Sequence, residues 1–283
     1  MKIFSSHAKW ILSGEHTVVR GGKAIAFPLH CYVNSVFSEK SKEFSVNSKV
    51  SIIKSIIVSL FETASKFTQI PLKDIRRAFT IKNNIPVKTG LGSSAAISVN
   101  IANIFKYHGF GGDLFSLARL LENKFHGKSS GLDVTVVLKN KPIVFENNCI
   151  TSIIEPTFWP HLILTYSGKK STTSQCIDTV QRMFLKNEKL ANELDVLMNQ
   201  SSNMCEEALK TANFNQLRDG IILGNEVFHK WGLCNEQLTN HMKDLFLDGA
   251  VAAKPIGSGL GGYVVSLWEE KPKRDICLTL EKP

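Results

Sequence analysis

Residues Pro86 to Ala96 read P-V-K-T-G-L-G-S-S-A-A, a stretch whose residue types and spacing can do chemistry. Gly90 and Gly92 free the backbone for tight turns with positive φ. Ser93, Ser94 and Ala95 follow at once, and Ala96, Ile97, Val99, Ile101, Ala102 and Ile104 continue as an apolar run whose spacing predicts a helix. A glycine turn feeding a helix N-terminus aims several backbone N–H groups at one point, and the positive end of the helix dipole adds to them. The expected occupant is an anion. A serine hydroxyl at that point can also ligate Mg²⁺. A small-residue helix start packed tightly on a sheet would use the same glycines, so the turn alone leaves both readings open. No Gly-Lys-Ser/Thr closes the loop, which sets it apart from the commoner phosphate loop.

The elements around the loop follow from periodicity. Residues 3–12 alternate as a strand that ends at Ser13-Gly14, and Gly21-Gly22 marks a turn. Residues 24–27 and 31–37 read as two further strands split by Pro28. Residues 50–67 have apolar positions at helical spacing, and 79–85 form a strand leading into the loop. Residues 114–124 are a second helix, with Leu117, Leu120 and Leu121 inward and Glu122 near its end. Asp133 then sits in a glycine-bounded turn before an expected strand over 134–138. Pro156 and Pro160 bracket a change in composition, so a domain boundary is expected near residue 155, giving domains 1–155 and 156–283. Residues 161–166 are a strand, and the polar run from Ser167 to Thr173 offers a helix N-cap. Residues 175–231 read as helical throughout, with weak breaks at Asn213 and Gly220. A glycine-rich turn, 257–262, precedes a strand over 263–268.

Composition narrows the class. The 283 residues are 43% hydrophobic, enough for a large core, and no apolar run is long enough to span a bilayer. The opening M-K-I-F-S-S-H lacks the apolar core of a signal peptide. The six cysteines are widely spread with no C-x-x-C pair, which argues against zinc and against a disulfide framework and fits reduced thiols in the cytoplasm. The net charge of +9 suits an anionic ligand. The Lys and Arg residues are scattered, with no basic tract or aromatic-interleaved stripe, so nucleic acid is not the expected partner. A membrane is not expected either.

Three blocks carry a resemblance to a known family. The loop Pro-x-x-x-Gly-Leu-Gly-Ser-Ser-Ala-Ala resembles the phosphate loop of the galactokinase, homoserine kinase, mevalonate kinase and phosphomevalonate kinase (GHMP) superfamily. The stretch A-K-W-I-L-S-G-E-H-T-V-V, residues 8–19, resembles its first motif, a Lys in a strand before Gly-Glu-His. The stretch K-P-I-G-S-G-L-G-G, residues 254–262, resembles its last motif, with Ile256 in place of the usual Thr and Leu260 in place of a Gly. Within the superfamily the mevalonate kinase branch is the most similar. Gly14-Glu15-His16-Thr17-Val18-Val19 carries Val18 where galactokinases place a sugar-binding Asp. Residues 126–133, H-G-K-S-S-G-L-D, are similar to that branch's His-Gly-x-Pro-Ser-Gly-x-Asp, with Ser129 at or next to the Pro.

The resemblance implies an α+β, two-domain GHMP kinase fold: a half like ribosomal protein S5 domain 2, then a ferredoxin-like half. It implies ATP and Mg²⁺ as cofactors and phosphorylation of mevalonate at its primary hydroxyl, in isoprenoid synthesis. Lys88, Gly90, Leu91, Gly92, Ser93, Ser94, Ala95, Gly257 and Gly259 would hold ATP. Ser94 and Glu122 would hold Mg²⁺. Asp133 would accept or orient the hydroxyl proton, and Lys9 would keep Asp133 ionised and stabilise the developing alkoxide. Glu15, His16, Val18 and Thr172 would line the acceptor pocket, with His16 offering a cation or a donor to a carboxylate. The alternatives are another small-molecule kinase of the superfamily, acting on phosphomevalonate or a sugar, and a ligand-binding member without turnover. A homodimer stays open.

Overall fold

The computed structural model describes residues 2–38, 45–47, 51–75, 78–87, 89–127, 129–156 and 158–272. Two compact units share the chain, and both are discontinuous in sequence. The first comprises Met1–Lys9, Pro28–Pro86 and Gly92–Asn140; the second comprises Trp10–Phe27, Val87–Leu91 and Lys141–Pro283. Residue 155 therefore falls inside the second unit. Strands β1 (Lys2–Ser13) and β2 (Ala24–Ser38) each give residues to both units.

In the first unit β2 pairs antiparallel with β4 (Ala78–Asn83) from Val33 to Ser38, and β4 pairs in parallel with β3 (Ser45–Asn47). Four helices build the core: α1 (Ser51–Thr68), α2 (Ser93–Tyr107), α3 (Leu114–His126) and α4 (Leu132–Lys139). Their apolar faces meet through Leu60, Phe61, Val99, Phe105, Leu117, Leu121 and Val134. Each such side chain contributes about 1.5–3 kcal/mol on burial. The buried amide of Asn100 ties this core to the strands: its Nδ2 donates to the Phe4 carbonyl at 2.9 Å and the Val33 carbonyl at 3.1 Å, and Ser35 donates to its Oδ1. Asp113 caps α3 by accepting from the N–H groups of Phe115 and Ser116.

In the second unit the opening of β2, Ala24 to Ala26, pairs antiparallel with β5 (Ile143–Glu146), and β5 pairs with β6 (Cys149–Ile153). The hairpin between them turns on Asn147 and Asn148, both at positive φ, as a tight two-residue turn requires. A separate antiparallel sheet has the order β7 (His161–Tyr166), β9 (Tyr263–Trp268), β8 (Ala252–Pro255). Helices α5 (Thr173–Lys186), α6 (Glu188–Thr211), α7 (Phe214–Lys230) and α8 (Glu236–Leu247) complete the unit. Asn187, Asn213 and Asn235 cap α6, α7 and α8 through their side-chain oxygens.

Four expectations are corrected. Residues 24–38 form one strand through Pro28, which lies between the segment that pairs β5 and the segment that pairs β4. Residues 132–139 are a helix and not a strand. A short β-branched run supports either period, and here Gly131, at φ 88°, starts a helix that buries Leu132, Val134, Thr135, Val136 and Val137. The long helical stretch breaks at Asn187 and at Ala212-Asn213. Gly220 lies within α7, where a Cβ would stand 2.8 Å from the Cys205 sulfur of α6, so its role is close helix packing. Thr172 occupies the N-cap position of α5, but its side chain makes no capping bond.

Candidate active site

Strand β1 carries Lys9 into the first unit, and α4 carries Asp133 in its first turn. The Lys9 ammonium lies 2.7 Å from Asp133 Oδ2; the lysine is 3% exposed and the aspartate 30%. A lysine this buried is held there by its partner. Gly92, at φ 72°, is the N-cap of α2, and a Cβ on it would stand 2.7 Å from Lys9 Cγ and 2.8 Å from Lys9 Cε. Glycine at 92 therefore makes room for the lysine stem as well as supplying the left-handed turn. The N-cap residue Gly92 has no side chain to cap α2, whose first turn is Ser93, Ser94 and Ala95. Ala95 is buried, and the Ser93 hydroxyl accepts from Asn83 Nδ2 at 3.0 Å.

Glu122 is buried near the end of α3. Burial first, and the Asp133 charge second, push its carboxyl up to about 8, against the Ser129 hydroxyl and the Lys9 and Arg119 charges. Two carboxyl groups whose charges repel, Glu122 buried and Asp133 partly exposed, form a setting that a divalent cation relieves. Among the described residues no cluster of three or more His, Cys, Asp and Glu side chains forms. The donors here are oxygens and few, which fits Mg²⁺, an ion that keeps waters and substrate phosphates as most of its ligands. Glu122 and Ser94 are the residues that would hold it.

The second unit assembles the other motif residues. Glu15 Oε1 and Lys254 Nζ form an ion pair at 2.6 Å in which both side chains are fully enclosed, 2% and 0% exposed. His16 adopts φ 61°, its Nε2 lies 2.9 Å from the Ser258 carbonyl, and its ring packs edge-on against Trp231 and Phe228. A carbonyl only accepts, so Nε2 carries the proton and Nδ1 has the lone pair. Burial lowers the His16 pKa to about 4. The expected cation at His16 is thus corrected: the ring is neutral near pH 7, and its donor is already used. Val18 is buried in a 3-10 turn, Val18–Arg20.

The glycine loops of this unit touch backbone to backbone. A Cβ on Gly257 would stand 2.9 Å from Gly90 Cα, and one on Gly90 would stand 3.3 Å from the Ile256 carbonyl. Gly259 backs onto Leu233, where a Cβ would come within 2.8 Å. Leu91 and Ile256 are buried anchors, and the Ile256 N–H donates to the Tyr263 carbonyl at 3.0 Å. An apolar residue at 256 suits that packing. Thr172 is exposed. Lys88 lies outside the described residues, as does Cys277; the other five cysteines are free thiols.

Sequence reasoning gave no role to Lys254, Arg119 or Ser129. Lys254 stood inside a quoted motif, but nothing in the sequence pairs it with Glu15, 239 positions away. Arg119 lies one turn before Glu122 on α3, and its Nη2 donates to the Ser129 carbonyl at 3.0 Å.

A glycine-framed helix N-terminus, a Lys–Asp pair and a buried glutamate make up the candidate site. Residues 51–141 match the family of GHMP kinases N terminal domain, and over nearly its whole length the chain is similar to small-molecule kinases that use ATP. A relative named mevalonate kinase, from Thermococcus sibiricus, is 26% identical over 302 residues, covering 94% of this chain and 89% of its own. The crystal structure of L. major mevalonate kinase in complex with R-mevalonate superposes with a TM-score of 0.79 at 19% identity, over 98% of this chain and 90% of that one. Lactococcus lactis galactokinase complexed with galactose gives a TM-score of 0.77 at 15% identity, over 94% and 85%. The fold is therefore shared by kinases with different acceptors. No helix among the described residues is long and apolar enough to cross a membrane.

Proposed function

We propose that the chain transfers the γ-phosphoryl group of ATP to the primary hydroxyl of mevalonate, giving 5-phosphomevalonate. The observation that carries the chemistry is the buried 2.7 Å contact between Lys9 and Asp133. Asp133 accepts or orients the acceptor hydroxyl proton, and Lys9 stabilises the alkoxide that develops. The first turn of α2 and the glycines at 90, 92, 257 and 259 bind the phosphates, and phosphoryl transfer asks mainly for such positioning and charge neutralisation. Ser94 and Glu122 would hold Mg²⁺, which would supply charge neutralisation for the transferred phosphates. By the resemblance, Lys88 would join the phosphate contacts, Glu15 would act through Lys254, and Thr172 and His16 would contribute to acceptor binding. The reaction belongs in the cytoplasm.

Mevalonate is favoured over a sugar by Val18. A sugar hydroxyl left unpaired in a buried site costs about 1–3 kcal/mol, and valine offers it no partner. The relatives named mevalonate kinase match over nearly the whole chain, which supports the same acceptor. The test is coupled ADP release with mevalonate, phosphomevalonate, homoserine and galactose. Mevalonate should exceed galactose by roughly a hundredfold or more in kcat/KM. A preference for any of the other three overturns the assignment.

A further inference from the structure

Ser129 replaces, or stands next to, a proline of the pattern that residues 126–133 resemble, and the structure uses every polar atom of the serine. Its hydroxyl donates to Glu122 Oε2 and accepts from the Gly131 N–H at 3.0 Å. Its own N–H donates to Asn123 Oδ1 at 2.9 Å, and its carbonyl accepts from Arg119 Nη2 at 3.0 Å. Three of these partners lie on α3, and the fourth, Gly131, is the residue from which α4 and Asp133 start. A proline here would lack both the hydroxyl and the N–H, and with them every link to Glu122 and Asn123.

We propose that Ser129 is a positioning residue that fixes the orientation of the Glu122 carboxylate and ties it to the turn that launches Asp133, so that metal–nucleotide binding and the acceptor-side carboxylate share one rigid frame. The inference rests on the reading of Glu122 as a Mg²⁺ ligand. A hydrogen-bond partner that orients a metal-binding carboxylate is typically worth 10–100-fold in metal affinity.

The full chain with Ser129→Ala should therefore need about tenfold more Mg²⁺ for half-maximal turnover. Titration of ATP with Mn²⁺ present should show a similar loss, while ATP binding in EDTA stays unchanged. Ser129→Thr keeps the hydroxyl and should restore the metal requirement. In a Glu122→Gln background, Ser129→Ala should add nothing, because both act on one carboxylate. Equal losses in EDTA and in metal, failure of threonine to rescue, or additive losses in the double variant overturn the proposal. If Glu122→Gln alone leaves the metal titration unchanged while Ser129→Ala shifts it, the assignment of Glu122 fails, and action through Glu122 fails with it. Should Ser129→Ala not fold, Ser129→Cys, which keeps the N–H and weakens the donor, carries the same comparison.

Discussion

Replacing Lys254 with methionine should strongly destabilise the second unit without disturbing its packing. The methionine keeps most of the aliphatic stem but removes the ammonium that lies 2.6 Å from Glu15 Oε1 and 5.0 Å from the centre of the Phe228 ring. Glu15 then has its carboxylate enclosed without its cation. Breaking one side of a buried pair costs about 3–5 kcal/mol, whereas replacing both sides by apolar groups of similar volume is near neutral or stabilising. At about 2–4 °C per kcal/mol for a chain near this size, the single variant should melt roughly 6–20 °C lower. The double variant Lys254→Met/Glu15→Met should recover most of that fall. Calorimetry and urea titration measure both, and ADP-release kinetics on the folded double variant give its acceptor KM. A single variant within about 1 kcal/mol of the native chain, or a double variant no better than the single, would refute the reasoning. A double variant that folds but loses acceptor binding would show that Glu15 meets the substrate itself.

Asp133→Asn removes the anion beside Lys9 and should lower kcat by about a thousandfold while leaving ATP binding intact, checked by single-turnover kinetics and nucleotide titration. Gly92→Ala puts a Cβ within 2.8 Å of the Lys9 stem at a left-handed position. It should cost about 1–2 kcal/mol of stability and lower kcat further, since the proposed reaction uses the displaced lysine. His16 gives an acid limb to stability. Its folded pKa is depressed to about 4, so the stabilisation is complete above the unfolded value near 6.5 and is lost as pH falls from there towards 4. The change should be on the order of 3 kcal/mol. Urea titrations across that range should show the slope in the native chain and a flatter one in His16→Asn, since asparagine tolerates the same left-handed backbone.

Much of this molecule was legible before any coordinates. The helix after Gly92, the strands 161–166 and 263–268, and the order of the three motifs follow from local periodicity and glycine spacing, because those signals live within a few residues of one another. The run 132–139 was not legible. Its β-branched residues suit a strand, and only packing of Val134 and Val137 against the helices of the first unit decides for a helix. Pro28 marked a break that did not occur, because strand pairing lies on either side of it.

The sequence by itself determined which residues could do chemistry: a glycine-turn helix start suited to an anion, an acid at 133, a glutamate eleven positions earlier, and a lysine in the first strand. Residue type and short-range spacing mark the glycine turn and its helix, and the resemblance of the motifs to a known family points to the other three. Only the tertiary structure decided who partners whom. It set Lys9 against Asp133 across 124 positions, gave Glu15 to Lys254, and made His16 a neutral donor to Ser258. It also showed that Gly90 and Gly257 are glycines because their backbones touch. Burial and long-range ion pairing depend on which distant segments exclude water together, and no local pattern in the chain encodes that.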